Sequence, residues 1–143
     1  MNSMLAYNVY SQFCPARLFF EKMADKWVLL ILNVLGREPL HFNLLKKKIE
    51  GISPKVLSQK LKILERDGFI KREIQETTPI RVEYSLTDLG HDVSQTAFKL
   101  KEWAESNIEI VLKAQHYYDL AQNKTLLEPK EMKNETTTIN CSP

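Results

Sequence analysis

An α+β fold, mainly α, is expected from three features of this chain. Residues Ser53 to Gly90 order as a capped basic helix, a two-stranded hairpin and the start of another helix. A mere Gly51-Ile52 connection separates that basic helix from an amphipathic one before it. After Gly90 the chain reaches about Tyr118 without proline or glycine, which predicts one long closing helix.

The elements before the basic helix read in order. Residues 1–14 form an N-terminal arm without clear periodicity. Pro15 to Met23 patterns as a short helix with Leu18, Phe19 and Met23 apolar. Asp25 can cap a second helix, because a carboxylate accepts from orphan backbone N–H groups. Trp27 to Leu35 is apolar almost all round, so this helix is expected to be buried. Gly36 and Pro39 mark its end. Leu40 to Phe42 fits a short strand. Phe42, Leu45 and Ile49 then space a third helix that ends at Gly51. Two helices joined so tightly are what a helix-turn-helix requires.

Ser53 is a good N-cap, and Pro54 fits the first helical position, where its missing donor costs nothing. Leu57, Leu61 and Leu64 make one buried stripe. Gly68 ends the run. Lys55, Gln59, Lys62 and Arg66 make the opposite stripe, with Ser58 beside it. Val82, Tyr84 and Leu86 alternate with Arg81, Glu83 and Ser85, a strand with one apolar face. Phe69 to Gln75 is its partner, and Glu76 to Pro79 is the turn. Pro79 lacks an N–H and belongs at a tip or strand end. Thr87 caps the next helix, with Asp88 in its first turn. The whole order is that of a winged helix-turn-helix with a β-hairpin wing.

The closing helix is expected over 88–118. At ~1.5 Å per residue it spans about 46 Å. A domain of about a hundred residues has a diameter of only ~26 Å. Trp103, Ile108, Ile110, Val111 and Leu112 therefore lack cover within one subunit, which points to the same helix of a second copy. The competing reading is a break near Ser106-Asn107 and a fold-back. A domain over 15–118 is thus followed by 119–143, a polar segment read as a disordered tail.

Composition narrows the function. The 143 residues suit one domain. The longest apolar run, Trp27 to Leu32, is too short to span a bilayer, so no membrane partner is expected. The N-terminus carries no secretory pattern, and the two cysteines, Cys14 and Cys141, sit in no metal-ligand spacing. A reducing cytoplasm is the simplest setting. Paired carboxylates, phosphate-binding glycine loops and triad-like orders are missing, so neither an enzyme nor a cofactor or metal is expected.

Charge points to a polyanion. Lys46 to Arg72 holds nine basic residues and three acidic ones, a net +6 within a chain of +2. Such clustering is an electrostatic footprint of nucleic acid, here double-stranded DNA. The alternative is a solvated lysine-rich surface on a protein–protein adaptor. Lys55, Ser58, Gln59 and Lys62 are candidates for base edges, since Gln suits adenine and Lys guanine. Lys46, Lys47, Lys60 and Arg66 are candidates for phosphate, with Ser53 at the helix N-terminus. Thr78 and Arg81 are candidates at the wing.

Together these strings resemble the HxlR-type transcriptional regulators, relatives of the MarR group. The carriers are Cys14, DKWVLLIL (Asp25 to Leu32), PLHFNLL (Pro39 to Leu45), GISPKVLSQKLKILERDGFIKRE (Gly51 to Glu73), PIRVEYSLTDLG (Pro79 to Gly90) and Trp103. The resemblance covers roughly residues 14 to 112. It implies a homodimeric winged-helix repressor or activator with helix 53–66 in the DNA. Its N- and C-terminal helices would form the interface, placing Leu18, Phe19, Leu100, Trp103, Ile108 and Val111 there. It also implies thiol control at Cys14, because several members sense oxidants or electrophiles through a cysteine at this place. Cys14 would stand at the N-cap of the Pro15 helix with Arg17 nearby, an electropositive setting for a thiol. The competing reading is an inert side chain packed in the interface. A small-molecule effector beside Trp27, Trp103, Tyr117 and Tyr118 is a further alternative. Two departures stand out: the family usually has glycine at Asp25 and arginine at His41, so a phosphate contact there would be weakened.

Overall fold

Leu57, Leu61 and Leu64 share one buried apolar cluster with Val28, Ile31, Leu32 and Leu35. The structure, a computed structural model, describes residues 6–131, with side chains described through residue 125. Cys141 and the rest of the tail beyond Glu131 lie outside the described residues. The chain divides into a unit ending at Lys101 and a second beginning at Glu102.

The first unit begins with α1 (Pro15–Met23) and α2 (Lys26–Leu35), followed by β1 (Leu40–His41), α3 (Phe42–Lys48) and α4 (Pro54–Arg66). The hairpin β2 (Ile70–Gln75) and β3 (Arg81–Leu86) leads into α5 (Asp88–Glu131). The three strands form one antiparallel sheet in the order β1-β3-β2. This is a mainly helical α+β winged helix-turn-helix.

Local chemistry sets the boundaries. Asp25 Oδ1 accepts from the Trp27 and Val28 amides and starts α2. Ser53 Oγ accepts from the Val56 amide and starts α4. Gly51 and Gly68 take positive φ, 85° and 82°, at the two turns flanking α4, where a Cβ would be strained. Thr87 Oγ1 accepts from the Gly90 amide and donates to the Gly68 carbonyl, so one hydroxyl joins the start of α5 to the turn after α4.

Three details differ from expectation. Phe42 opens α3 instead of ending a strand. β2 begins at Ile70, because the Phe69 amide closes the end of α4 by donating to the Leu64 carbonyl. α5 continues past Tyr118 to Glu131. Residues 119–131 have a weak apolar pattern but contain Ala121, Gln122 and Leu120, strong helix formers, and propensity can extend a helix where burial does not.

The face that α5 turns to the core of the first unit is Gly90, Ser94 and Ala97, all buried. Ser94 satisfies its hydroxyl on the His91 carbonyl. A Cβ at Gly90 would stand 1.9 Å from the Phe69 carbonyl oxygen. Gly90→Ala should therefore destabilise the fold by about 3 kcal/mol, although alanine is favoured in a helix by ~1 kcal/mol. Urea unfolding measures this. A more stable variant would mean that the hairpin can move away from α5 at no cost.

Candidate nucleic-acid interface

Helix α4 divides its surface between core and solvent. Leu57, Leu61 and Leu64 are essentially inaccessible. Lys55, Gln59, Lys62 and Arg66 are all exposed on the other side. At about 100° per residue these four fall within one narrow stripe. Ser53 is exposed at its N-terminal end, and Lys46 and Lys47 are exposed on the last turn of α3. The stripe is wide open to a partner and lacks acidic side chains.

Next to it lies a cleft of about 300 Å³ lined by Ser58, Leu61, Lys62, Glu65, Arg72 and Tyr84. Arg72 was not singled out by the sequence. It stands opposite Tyr84 in the β2–β3 register and shares the parity of Ile70, which is buried. The pairing with β3 therefore places Arg72 on the face of the sheet that meets α4. In the wing, Thr78 and Arg81 are exposed, and Thr77 Oγ1 donates to the Pro79 carbonyl across the turn. The Thr78–Pro79 peptide is cis.

Residues 22–111, which hold α4, the helix before it and the wing, match the family model of the HxlR-like helix-turn-helix. The chain belongs to the HxlR family. It is 40% identical over 105 residues to the HTH-type transcriptional regulator YtfH of Escherichia coli (strain K12), covering 73% of this chain and 83% of that one. The structure of ytfH from Salmonella typhimurium aligns with TM-score 0.73 and 37% identity, over 78% of this chain and 99% of that one. The redox regulator HypR in its oxidized form aligns with TM-score 0.61 and 31% identity, over 66% and 97%. A transcriptional regulator with a helix-turn-helix DNA-binding fold is what these relationships establish.

Within this HxlR-family chain the expected site residues do not all stand together. Lys60 is placed away from the stripe: it is half-buried and ion-paired with Asp25 Oδ2. Its angular position, about 140° from Lys55 but only ~60° from Leu57, already implied this. His41 is turned inward, with Nδ1 buried and without a hydrogen-bond partner among the described residues. It lines a groove of about 490 Å³ between the start of α3 and the wing residues Pro79 to Val82. Phe19 packs its ring 5.4 Å from Phe69 in its own subunit, whereas Leu18 and Leu100 are exposed. Trp27 packs on the core of the first unit. In the second unit Trp103, Ile108, Ile110, Val111, Leu112, Tyr117 and Tyr118 are exposed along α5.

Cys14 occupies the N-cap of α1, and its carbonyl accepts from the Arg17 amide at 3.0 Å. Its side chain is buried, at 7% exposure, rather than partly open.

Asp25 is the group with the clearest electrostatic signature here. Burial would raise its pKa, but the hydrogen bond from Lys60 and those from the Val28 and Trp27 amides outweigh it and hold the pKa below the ordinary 3.8. A carboxyl depressed on folding stabilises the native state above its unfolded pKa and loses that contribution as pH falls through the folded one. Below pH 3.8, melting temperature should therefore fall more steeply for wild type than for Asp25→Asn. Parallel acid limbs for the two proteins would remove Asp25 from the acid response.

Proposed function

We propose that this regulator is a homodimeric repressor that reads a twofold-symmetric operator. Helix α4 enters the major groove of each half-site, and the β2–β3 turn rests on the neighbouring backbone. The observation that carries this reading is the exposed stripe Lys55, Gln59, Lys62 and Arg66 set opposite three buried leucines. The leucines fix the helix, so the stripe is presented at a defined angle. Lys55, Ser58, Gln59 and Lys62 face base edges, and Lys46, Lys47 and Arg66 hold phosphates. Ser53 serves the backbone at the N-terminus of α4, and Thr78 and Arg81 serve it at the wing. Occupancy of the operator by the dimer excludes transcription.

The dimer rests on the exposed apolar residues of α5, Trp103, Ile108 and Val111 among them, together with Leu100 and Leu18. Apolar side chains in such number along one helix are an interaction surface. Half-sites one helical turn apart, ~10 bp, fit two α4 helices related by a twofold axis.

Cys14 is the proposed point of control. It stands where α1 begins, and the similar HypR is a redox regulator. Alkylation by an electrophile, or exchange with an oxidised small-molecule disulfide that releases one thiol, replaces the thiol proton with a bulky group in a buried position, and the start of α1 must then move.

Gel-shift titration on DNA flanking the protein's own gene should give a specific complex whose affinity falls steeply with salt. Lys55→Ala combined with Gln59→Ala should weaken it tenfold or more, from base contacts of about 1–3 kcal/mol each. Equal binding to any duplex contradicts the reading, and an unchanged double variant favours an adaptor. Treatment with diamide should release wild type from the operator and leave Cys14→Ser bound. Equal loss in both proteins excludes Cys14.

A further inference from the structure

The corner between α1 and α2 is tied to α4 by two ion pairs of opposite polarity. Lys22 Nζ, in the last turn of α1, donates to Asp67 Oδ2 at 2.8 Å, and Asp67 is the C-cap of α4. Lys60, in the middle of α4, donates to Asp25 Oδ2, and Asp25 is the N-cap of α2. The two oxygens of Asp25 divide the work: Oδ1 takes the Trp27 and Val28 amides, and Oδ2 takes Lys60. Each element thus offers one cation and one anion to the other. The Phe19–Phe69 ring contact lies at the same end of α4.

Position explains what such a pair of ties can do. Lys60 and Asp67 stand ~10 Å apart along the helix axis. Two anchors that far apart fix a line, and the buried leucines at another angle around the helix resist rotation about it. Rotation matters for a helix that reads bases. With side chains at a radius of about 5–6 Å, a turn of ~20° moves their tips by ~2 Å. Productive contacts tolerate only about 0.5 Å. The leucine stripe decides which face of α4 is buried, and the ion pairs, being directional, hold its rotation within that packing more narrowly.

We propose that Lys60 and Asp67 are positioning residues: with Asp25 and Lys22 they clamp α4 to the α1–α2 corner and set the rotation at which its exposed stripe meets DNA. This rests on the reading of α4 as the DNA-reading helix. Lys60 accordingly acts through Asp25 and not through a phosphate. A displacement of α1 is felt by α4 at this corner.

The test compares operator and scrambled duplexes by fluorescence anisotropy, using the full chain. Lys60→Met keeps the apolar stem without the charge. Asp25→Asn keeps the helix cap, since Asn caps as well as Asp, and loses only the charge. Each should weaken operator binding by about fivefold, the scale of one ion pair, while the scrambled duplex and the salt slope stay unchanged. The two variants change net charge in opposite directions, so general attraction to DNA predicts opposite effects. Lys22→Glu should lose a similar factor, and Lys22→Glu with Asp67→Lys, which restores the wild-type net charge, should recover it.

A Lys60→Met protein that loses affinity equally on both duplexes, with a salt slope reduced by about one, makes Lys60 a phosphate contact and overturns the proposal. Unchanged operator binding in both single variants overturns it too. A wild type without preference for the operator defeats the DNA-reading assignment instead. The clamp is then judged by urea unfolding of Lys60→Met, Asp25→Asn and their combination: additive losses overturn it, and a combined loss no greater than either single one supports it.

Discussion

Three leucines decide where the positive charge of this protein goes. Leu57, Leu61 and Leu64 are buried on one side of α4. A helix with one apolar stripe has a single way to lie on a core, and its remaining surface is then assigned without further choice. Lys55, Gln59, Lys62 and Arg66 follow the same 3.6-residue period half a turn away, so burial of the leucines and display of the cations are one event. Loss of the leucine contact would leave the cations on the chain but remove their common direction. The turns with positive φ at Gly51 and Gly68 belong to the same constraint, because they let the chain enter and leave α4 sharply.

The hairpin is held to this helix through few atoms. The Thr87 hydroxyl reaches back to Gly68, and Gly90 lets α5 approach the Phe69 carbonyl closely. The wing therefore inherits its position from the end of α4. The corner of α1 and α2 approaches the same helix from its other flank through Asp25, Lys22 and Phe19. The proposed reading of DNA and the proposed control through α1 meet at α4 because both sides are packed against it.

Much of this was legible in the sequence, because the signals were local. Caps at Asp25, Ser53 and Thr87, the leucine stripe, the Gly51-Ile52 connection and the alternation of β3 each depend on residues within a few positions of each other. The ion pair of Lys60 with Asp25 was not legible, because the two residues are thirty-five positions apart and charge type was weighed before angle. Arg72 was passed over for the opposite reason: its strand alternates poorly, and only pairing with β3 fixes which way it faces. Gly90 and Ser94 were invisible to an apolar pattern, being a residue without a side chain and a polar residue that satisfies itself. Burial of Cys14 and of His41 Nδ1 depends on how whole elements pack, which no spacing encodes.

In the proposed complex the exposed face of α4 reads base edges in the major groove at two symmetric positions. Methylation interference on the operator tests it directly, since a methyl group on guanine N7 blocks the major groove and one on adenine N3 blocks the minor groove. Guanine N7 should interfere in two clusters about one helical turn, ~10 bp, apart. Interference confined to adenine N3, or a single cluster with no symmetric counterpart, would contradict it.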